Sequence, residues 1–186
     1  EPDGSVVCTS DEFLELANLP RRAVVIGGGA IGCEFASTLA DMGADVTILE
    51  ALPKILPGLD EDVAKQVLRA FKKKKIDVRA GVKVTGHEPD GSGATTVSFG
   101  NGETIETDLV VVSVGRRPYT DSLVDDGAGV DLDDRGFVTV DELCRTSADG
   151  VWSIGDCIAT PQLAHVGFAE GICAIGDILG EHPVPV

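Results

Sequence analysis

Gly27, Gly29, Gly32 and Glu50 are the residues of this 186-residue chain whose types and spacing could do chemistry. The glycines punctuate the run Ala23-Val24-Val25-Ile26-Gly27-Gly28-Gly29-Ala30-Ile31-Gly32, and Glu50 follows eighteen residues later, closing Asp45-Val46-Thr47-Ile48-Leu49. In such a pattern the first glycine permits a tight turn, the second lets backbone approach a pyrophosphate, and the third lets helix and strand pack closely. A helix opened by Ala30 and Ile31 presents free N–H groups and a partial positive charge to the phosphates. The competing reading is a plain strand-to-helix turn. Against it, strand, helix, second strand and acid all fall at the spacings a dinucleotide site needs. Glu50 would accept hydrogen bonds from a ribose 2′-hydroxyl and repel a 2′-phosphate. The residues after it, Ala51-Leu52-Pro53-Lys54, offer one cation, so the pattern favours NAD over NADP.

A second constellation lies in Thr146-Ser147-Ala148-Asp149-Gly150-Val151-Trp152-Ser153-Ile154-Gly155-Asp156-Cys157. It reads as a strand ending in Gly155-Asp156 at the sheet edge where α/β proteins bind ligands. Glycine there allows close approach of a cofactor, and the carboxylate can accept from sugar hydroxyls. Alone, Gly-Asp usually marks a turn; the upstream glycine pattern tips the reading toward a ligand.

These residues need a scaffold of strands and helices. Strand 23–26, helix 30–42 and strand 45–49 form a β-α-β unit. Asp60-Glu61-Asp62 opens a second helix, with Val63, Val67, Leu68 and Phe71 at helical spacing and the lysines 72–75 as a solvated, dipole-matched end. A third parallel strand is expected over 76–79. Segments 82–85, 95–99 and 104–107, separated by glycine-rich turns, read as a turn-rich antiparallel meander in which His87 is a surface residue. The apolar stretch 108–114 returns to the parallel sheet and ends in Gly115-Arg116-Arg117-Pro118. Short strands at 136–140 and 151–154 and a helix over 164–179 follow. Residues 1–14 read as a connector, with Thr9 a plausible helix cap. The fold class is α/β, a Rossmann-like parallel sheet with an antiparallel β-meander.

Composition narrows the partners. A net charge of −16 argues against nucleic acid and acidic membrane surfaces. No apolar run approaches bilayer length and no signal-peptide pattern appears. Five scattered cysteines, Cys8, Cys33, Cys144, Cys157 and Cys173, form no close sequence pair, so no zinc site or local redox disulfide is visible. Cys33 and Cys173 read as buried thiols in helices, and the cysteine usage suits a reduced, cytoplasmic protein. The chain starts at Glu1 without methionine and stops at Pro185-Val186, as expected of a piece of a longer protein.

The motifs Val25 to Glu34, Ser113-Val114-Gly115-Arg116-Arg117-Pro118, Thr146 to Cys157, and Leu163-Ala164-His165 through Glu170-Gly171 occur in an order that resembles the pyridine nucleotide-disulfide oxidoreductase family, and within it the dihydrolipoyl dehydrogenases. The resemblance runs from about Thr9 onward. It implies an FAD/NAD(P)-binding type of fold, with an NAD-binding domain over 15–115 and, over 116–186, the return segment of an FAD-binding domain. It further implies that Asp156 binds the ribityl chain of FAD and that the helix from Ala164-His165 aims its N-terminus at the flavin. Gly115 and Gly155 would stand close to the cofactors, and Glu34 would support the nicotinamide–flavin contact by pairing with a lysine outside this chain. By the same likeness the parent reoxidises dihydrolipoamide on a lipoyl-bearing protein, using FAD and then NAD⁺, as a homodimer. The redox cysteine pair and the acid/base histidine–glutamate pair fall outside this chain, and neither His87, His165 nor His182 stands in that motif. The chain alone is therefore expected to be inactive. Tyr119 replaces an asparagine common in the family, and Lys75 sits where relatives often carry glycine. A mercuric reductase or NADH oxidase would share these motifs; a stand-alone NAD-binding module would require the chain to be complete as it stands; a structural role fits poorly with intact glycines and acids.

Overall fold

In the computed structural model, which describes all residues except 1, 2, 4, 126, 182 and 186, the chain divides into two units, Glu1–Gly115 and Arg116–Val186. The first is built on five parallel strands: β1 (Val7–Cys8), β2 (Arg22–Ile26), β3 (Asp45–Glu50), β4 (Asp77–Ala80) and, last in sequence, β8 (Leu109–Val112). Their order across the sheet is β1-β8-β2-β3-β4. The strand order therefore reverses between β2 and β8, the position at which open α/β sheets bind ligands.

Period-two alternation sends side chains to two separate cores. Ala23, Val25, Val46, Ile48, Leu109 and Val111 face the helices α2 (Ala30–Asp41) and α3 (Glu61–Lys73). Val24, Leu49 and Val110 face the other way, against Val97 and Phe99. Those two residues belong to β6 (Thr95–Phe99), the middle strand of an antiparallel sheet with β5 (Val84–Pro89) and β7 (Glu103–Thr107). The parallel sheet is thus covered on both faces, which is why its strands read as nearly continuous apolar runs.

Several expectations need correction. Residues 1–14 are not merely a connector: β1 pairs with β8 in parallel, with both its residues buried, and Thr9 caps α1 (Ser10–Leu14) in a capping box with Glu12. A two-residue strand is too short to announce itself by periodicity. The meander starts later than expected, at Val84, and His87 lies within β5, half-buried beside the Thr95 hydroxyl at 3.2 Å. On α3 the buried residues are Ala64 and Phe71, whereas Val63 and Leu68 are exposed. The helix turns its small and aromatic positions inward and leaves two aliphatics outside.

Among its described residues the second unit has no regular sheet. The segments expected as strands at 136–140 and 151–154 form only isolated bridges, Val138 with Leu132 and Ile158, and Trp152 with Arg145. Its one long helix, α4 (Ala164–Ile178), is apolar nearly all round. Asp177 anchors it, accepting from Arg145 Nε at 2.6 Å and from Trp152 Nε1 at 3.0 Å. Its opposite face is open: Phe168 and Ile172 are 76% and 75% exposed. Among the described residues no helix is long and apolar enough to cross a membrane.

Candidate functional site

The glycine turn leaves the C-terminal end of β2 and enters α2, whose cap is Gly29. Each glycine stands there for a different reason. At Gly27, with φ +106°, a Cβ would lie 2.4 Å from the Ser113 carbonyl oxygen. At Gly32 it would lie 2.0 Å from the Gly27 oxygen. Both positions are dictated by the protein's own backbone packing. At Gly29 a Cβ would meet nothing within 4 Å. No side chain caps the helix at that residue, so the first N–H groups of α2 face outward in the absence of a protein cap. Ala30 is exposed and Ile31 partly buried in the first turn of α2; Glu34 is exposed one turn further on.

Gly28, which the sequence pattern leaves as a free position, is the most constrained peptide in the turn. Its N–H donates to Glu50 Oε2 at 2.5 Å, and its carbonyl accepts from the Leu56 N–H at 2.7 Å and the Cys33 thiol at 3.5 Å. A Cβ on it would stand 2.6 Å from Ile55 Cγ2. Glu50, 8% exposed at the end of β3, accepts from the Leu52 N–H at 2.7 Å through its other oxygen. The acid expected to recognise ribose therefore also fastens the glycine turn, a role that only the fold reveals. Burial, reinforced by the Glu50 and Glu34 charges, pushes the Cys33 thiol up to about 11, so it is a packing residue that stays protonated at neutral pH.

The second constellation has the same construction. Gly155–Cys157 is a 3-10 turn, with Gly155 at φ +75°. Its N–H donates to Glu170 Oε2 at 2.6 Å, while Glu170 Oε1 accepts from the Thr160 hydroxyl at 2.6 Å. The Asp156 carboxylate points outward, half-exposed, and pairs with the Arg116 guanidinium. Ala164 and His165 occupy the exposed first turn of α4, which no side chain caps at Leu163. Gly115, at φ +135°, ends the stretch that follows β8. His182 lies outside the described residues. Cys173 Sγ donates to the Glu142 carbonyl at 4.0 Å, and burial, reinforced by the neighbouring Cys173, pushes the Cys144 thiol up to about 11. Among the described residues no cluster of side chains could hold a metal ion.

A parallel sheet with a glycine turn at its switch point, backed by an antiparallel sheet, is an open α/β architecture of the kind that binds ligands at that edge. The chain belongs to the pyridine nucleotide-disulphide oxidoreductase family, whose model matches residues 2–171. It is 42% identical over 179 residues to the dihydrolipoyl dehydrogenase of Haloferax volcanii, covering 94% of this chain and 38% of that one. To the dihydrolipoyl dehydrogenase of Bacillus subtilis it is 39% identical over 178 residues, with coverage of 94% and 38%. Among solved structures it resembles LpdA of Mycobacterium tuberculosis, with a TM-score of 0.92 at 28% identity over 100% of this chain and 40% of that one. It also resembles the HOCl-induced flavoprotein disulfide reductase RclA of Escherichia coli, with a TM-score of 0.90 at 30% identity, covering 100% and 42%. The chain thus spans about two fifths of the length of the relatives it matches.

Proposed function

We propose that this chain is the NAD-binding part, with the returning segment of the FAD-binding domain, of a flavoprotein disulfide oxidoreductase of the dihydrolipoyl dehydrogenase type. The observation that carries the NAD reading is Gly29. Among the three signature glycines it alone is required by no atom of the chain, and it stands where a pyrophosphate would meet the uncapped start of α2. Gly27 and Gly32 shape that cradle, and the N–H groups of Ala30 and Ile31 line its mouth. Glu50, held in place by its two backbone N–H partners, keeps lone pairs for the adenosine ribose and sets a charge against a 2′-phosphate.

For the flavin, Asp156 offers an outward carboxylate on a tight glycine turn, and the uncapped N-terminus of α4 at Ala164-His165 offers a positive end to an electron-rich ring. Gly115 gives room for backbone approach, and Glu34 takes the supporting place near the nicotinamide. The chemistry the two cofactors supply when bound is two-electron transfer from a dithiol to the nicotinamide. The substrate of the longer protein is then dihydrolipoamide on a lipoyl-bearing partner, the assembly a homodimer, and the compartment the cytoplasm, in keeping with five free cysteines. A sister reductase is the second reading, supported by the likeness to RclA.

The test is dihydrolipoamide-dependent NAD⁺ reduction, run on this chain with added FAD and on a protein of the relatives' length that contains it. Background from the first and turnover from the second are expected. Turnover by the 186-residue chain would overturn the division of labour; reduction of mercuric ion or oxygen without dihydrolipoamide activity would favour the sister reading.

A further inference from the structure

Glu170 is among the most deeply buried charged side chains of the chain, 1% exposed. None of the ion pairs among the described residues includes it. A carboxylate so placed is costly unless both oxygens find donors, and here they do: one takes the Gly155 N–H and the other the Thr160 hydroxyl, each at 2.6 Å. An apolar side chain would fill the same volume without that cost, so packing alone does not account for an acid here.

The surroundings are shaped for this contact. On α4, the residues flanking Glu170 toward the turn are glycines. A Cβ on Gly167 would lie 3.5 Å from the Gly155 Cα, and one on Gly171 would lie 3.5 Å from Ile154 Cδ1. The helix therefore comes close enough to the turn for a glutamate to reach its backbone. Gly155 is held in the left-handed region, and the next residue is Asp156, whose carbonyl accepts from Gln162 Nε2 at 3.3 Å. Fixing the Gly155 N–H fixes the Ile154–Gly155 peptide that enters the turn, and the Gly155 carbonyl in turn accepts from the Ile158 N–H at 3.1 Å, so the backbone on either side of Asp156 is held.

We propose that Glu170 is a positioning residue: it fastens the Gly155-Asp156 turn to α4 and so sets the direction of the Asp156 carboxylate. The fastening is a property of this chain; its consequence for flavin rests on the reading of Asp156 given above. Glutamine can replace both bonds, its Oε1 accepting from Gly155 and its Nε2 donating to Thr160, whereas methionine matches the length and offers neither.

The experiment is amide hydrogen exchange at Gly155 in the 186-residue chain, comparing wild type, Glu170→Gln and Glu170→Met, with the interior amides of α4 as the measure of folding of the same unit. Glu170→Met should speed exchange at Gly155 about tenfold or more, since the N–H loses its partner, while Glu170→Gln stays near wild type. Equal exchange in all three, or equal acceleration in both variants, would overturn the proposal. If Glu170→Met also loosens the interior of α4, Glu170→Asp, which keeps the charge but withdraws the oxygens, carries the same test: acceleration at Gly155 alone supports the proposal and wild-type exchange overturns it. Flavin retention by a protein of the relatives' length is the separate arm. Loss in Glu170→Met with retention in Glu170→Gln supports both the fastening and the flavin reading. Altered exchange with unchanged flavin content keeps the positioning role and overturns the flavin reading of Asp156.

Discussion

The two glycine turns are built alike, and the units that carry them are not. Each turn has a backbone N–H held by a glutamate from a following element, Glu50 of β3 for Gly28 and Glu170 of α4 for Gly155. Around the first turn the parallel sheet is covered on both faces, and Phe99, Ile48 and Val25 are fully buried. Around the second, strands are reduced to isolated bridges and α4 shows Phe168, Ile172, Ile175 and Leu179 to solvent. The contrast is the one the proposed function expects, with a first unit that holds a dinucleotide and a second that belongs to a larger flavin-binding domain.

Gly32→Ala should show the largest effect. Its Cβ would collide with the Gly27 carbonyl, a backbone atom that cannot step aside, so a loss of about 4 kcal/mol or more is expected. Gly155→Ala, with open space around its Cβ but a positive φ, should cost about 1–2 kcal/mol. Chemical denaturation followed by sheet and α4 probes would rank them; equal losses would break the contrast between a packed and an open turn.

Glu50→Ala comes next. It leaves the Gly28 and Leu52 N–H groups without their acceptor, at about 2–4 kcal/mol together, and it should weaken NADH binding tenfold to a hundredfold, or about 1.5–3 kcal/mol. A variant that lost affinity at unchanged stability would show that the carboxylate serves the ribose alone. Lys75, with φ +61° just past the end of α3, makes a smaller case: Lys75→Gly should stabilise the first unit by about 1 kcal/mol, read as a raised melting temperature.

Acid should produce the gentlest change, and in both units. Hydrogen bonding from Arg22 lowers the Asp108 pKa, and Arg145 does the same for Asp177. With folded values below the unfolded one of about 3.9, each pair stabilises fully above that pH and loses its contribution as pH falls through the lowered value. Melting curves from pH 5 downward should flatten in Asp108→Asn for the sheet probes only. No change in slope would remove the pair from the account.

Much of the first unit was legible because its signals are local and repeated. Alternating apolar strands, a glycine turn and an acid at fixed spacing identify β2, α2 and β3 without reference to the rest of the chain. What escaped depends on contacts distant in sequence. The pairing of Val7–Cys8 with β8 spans a hundred residues, and the tie between Gly28 and Ile55 is visible only once the loop after β3 folds back. Glu170 formed part of a recognisable motif, yet its bond to Gly155 could not be read from spacing. The strands expected near 138 and 152 illustrate the reverse failure: the residues suit a sheet, and the second unit supplies only single bridges to pair with.

The central claim is that Gly29 is glycine for the sake of a dinucleotide rather than of the fold. Calorimetric titration of wild type and Gly29→Ala with NADH and NADPH, beside their melting curves, tests it most directly. The account predicts NADH tighter than NADPH in wild type, stability unchanged to within about 0.5 kcal/mol in Gly29→Ala, and NADH affinity at least about tenfold lower in that variant, a difference of about 1.4 kcal/mol. Unaltered NADH affinity in Gly29→Ala, no NADH binding by wild type, or tighter binding of NADPH would contradict it.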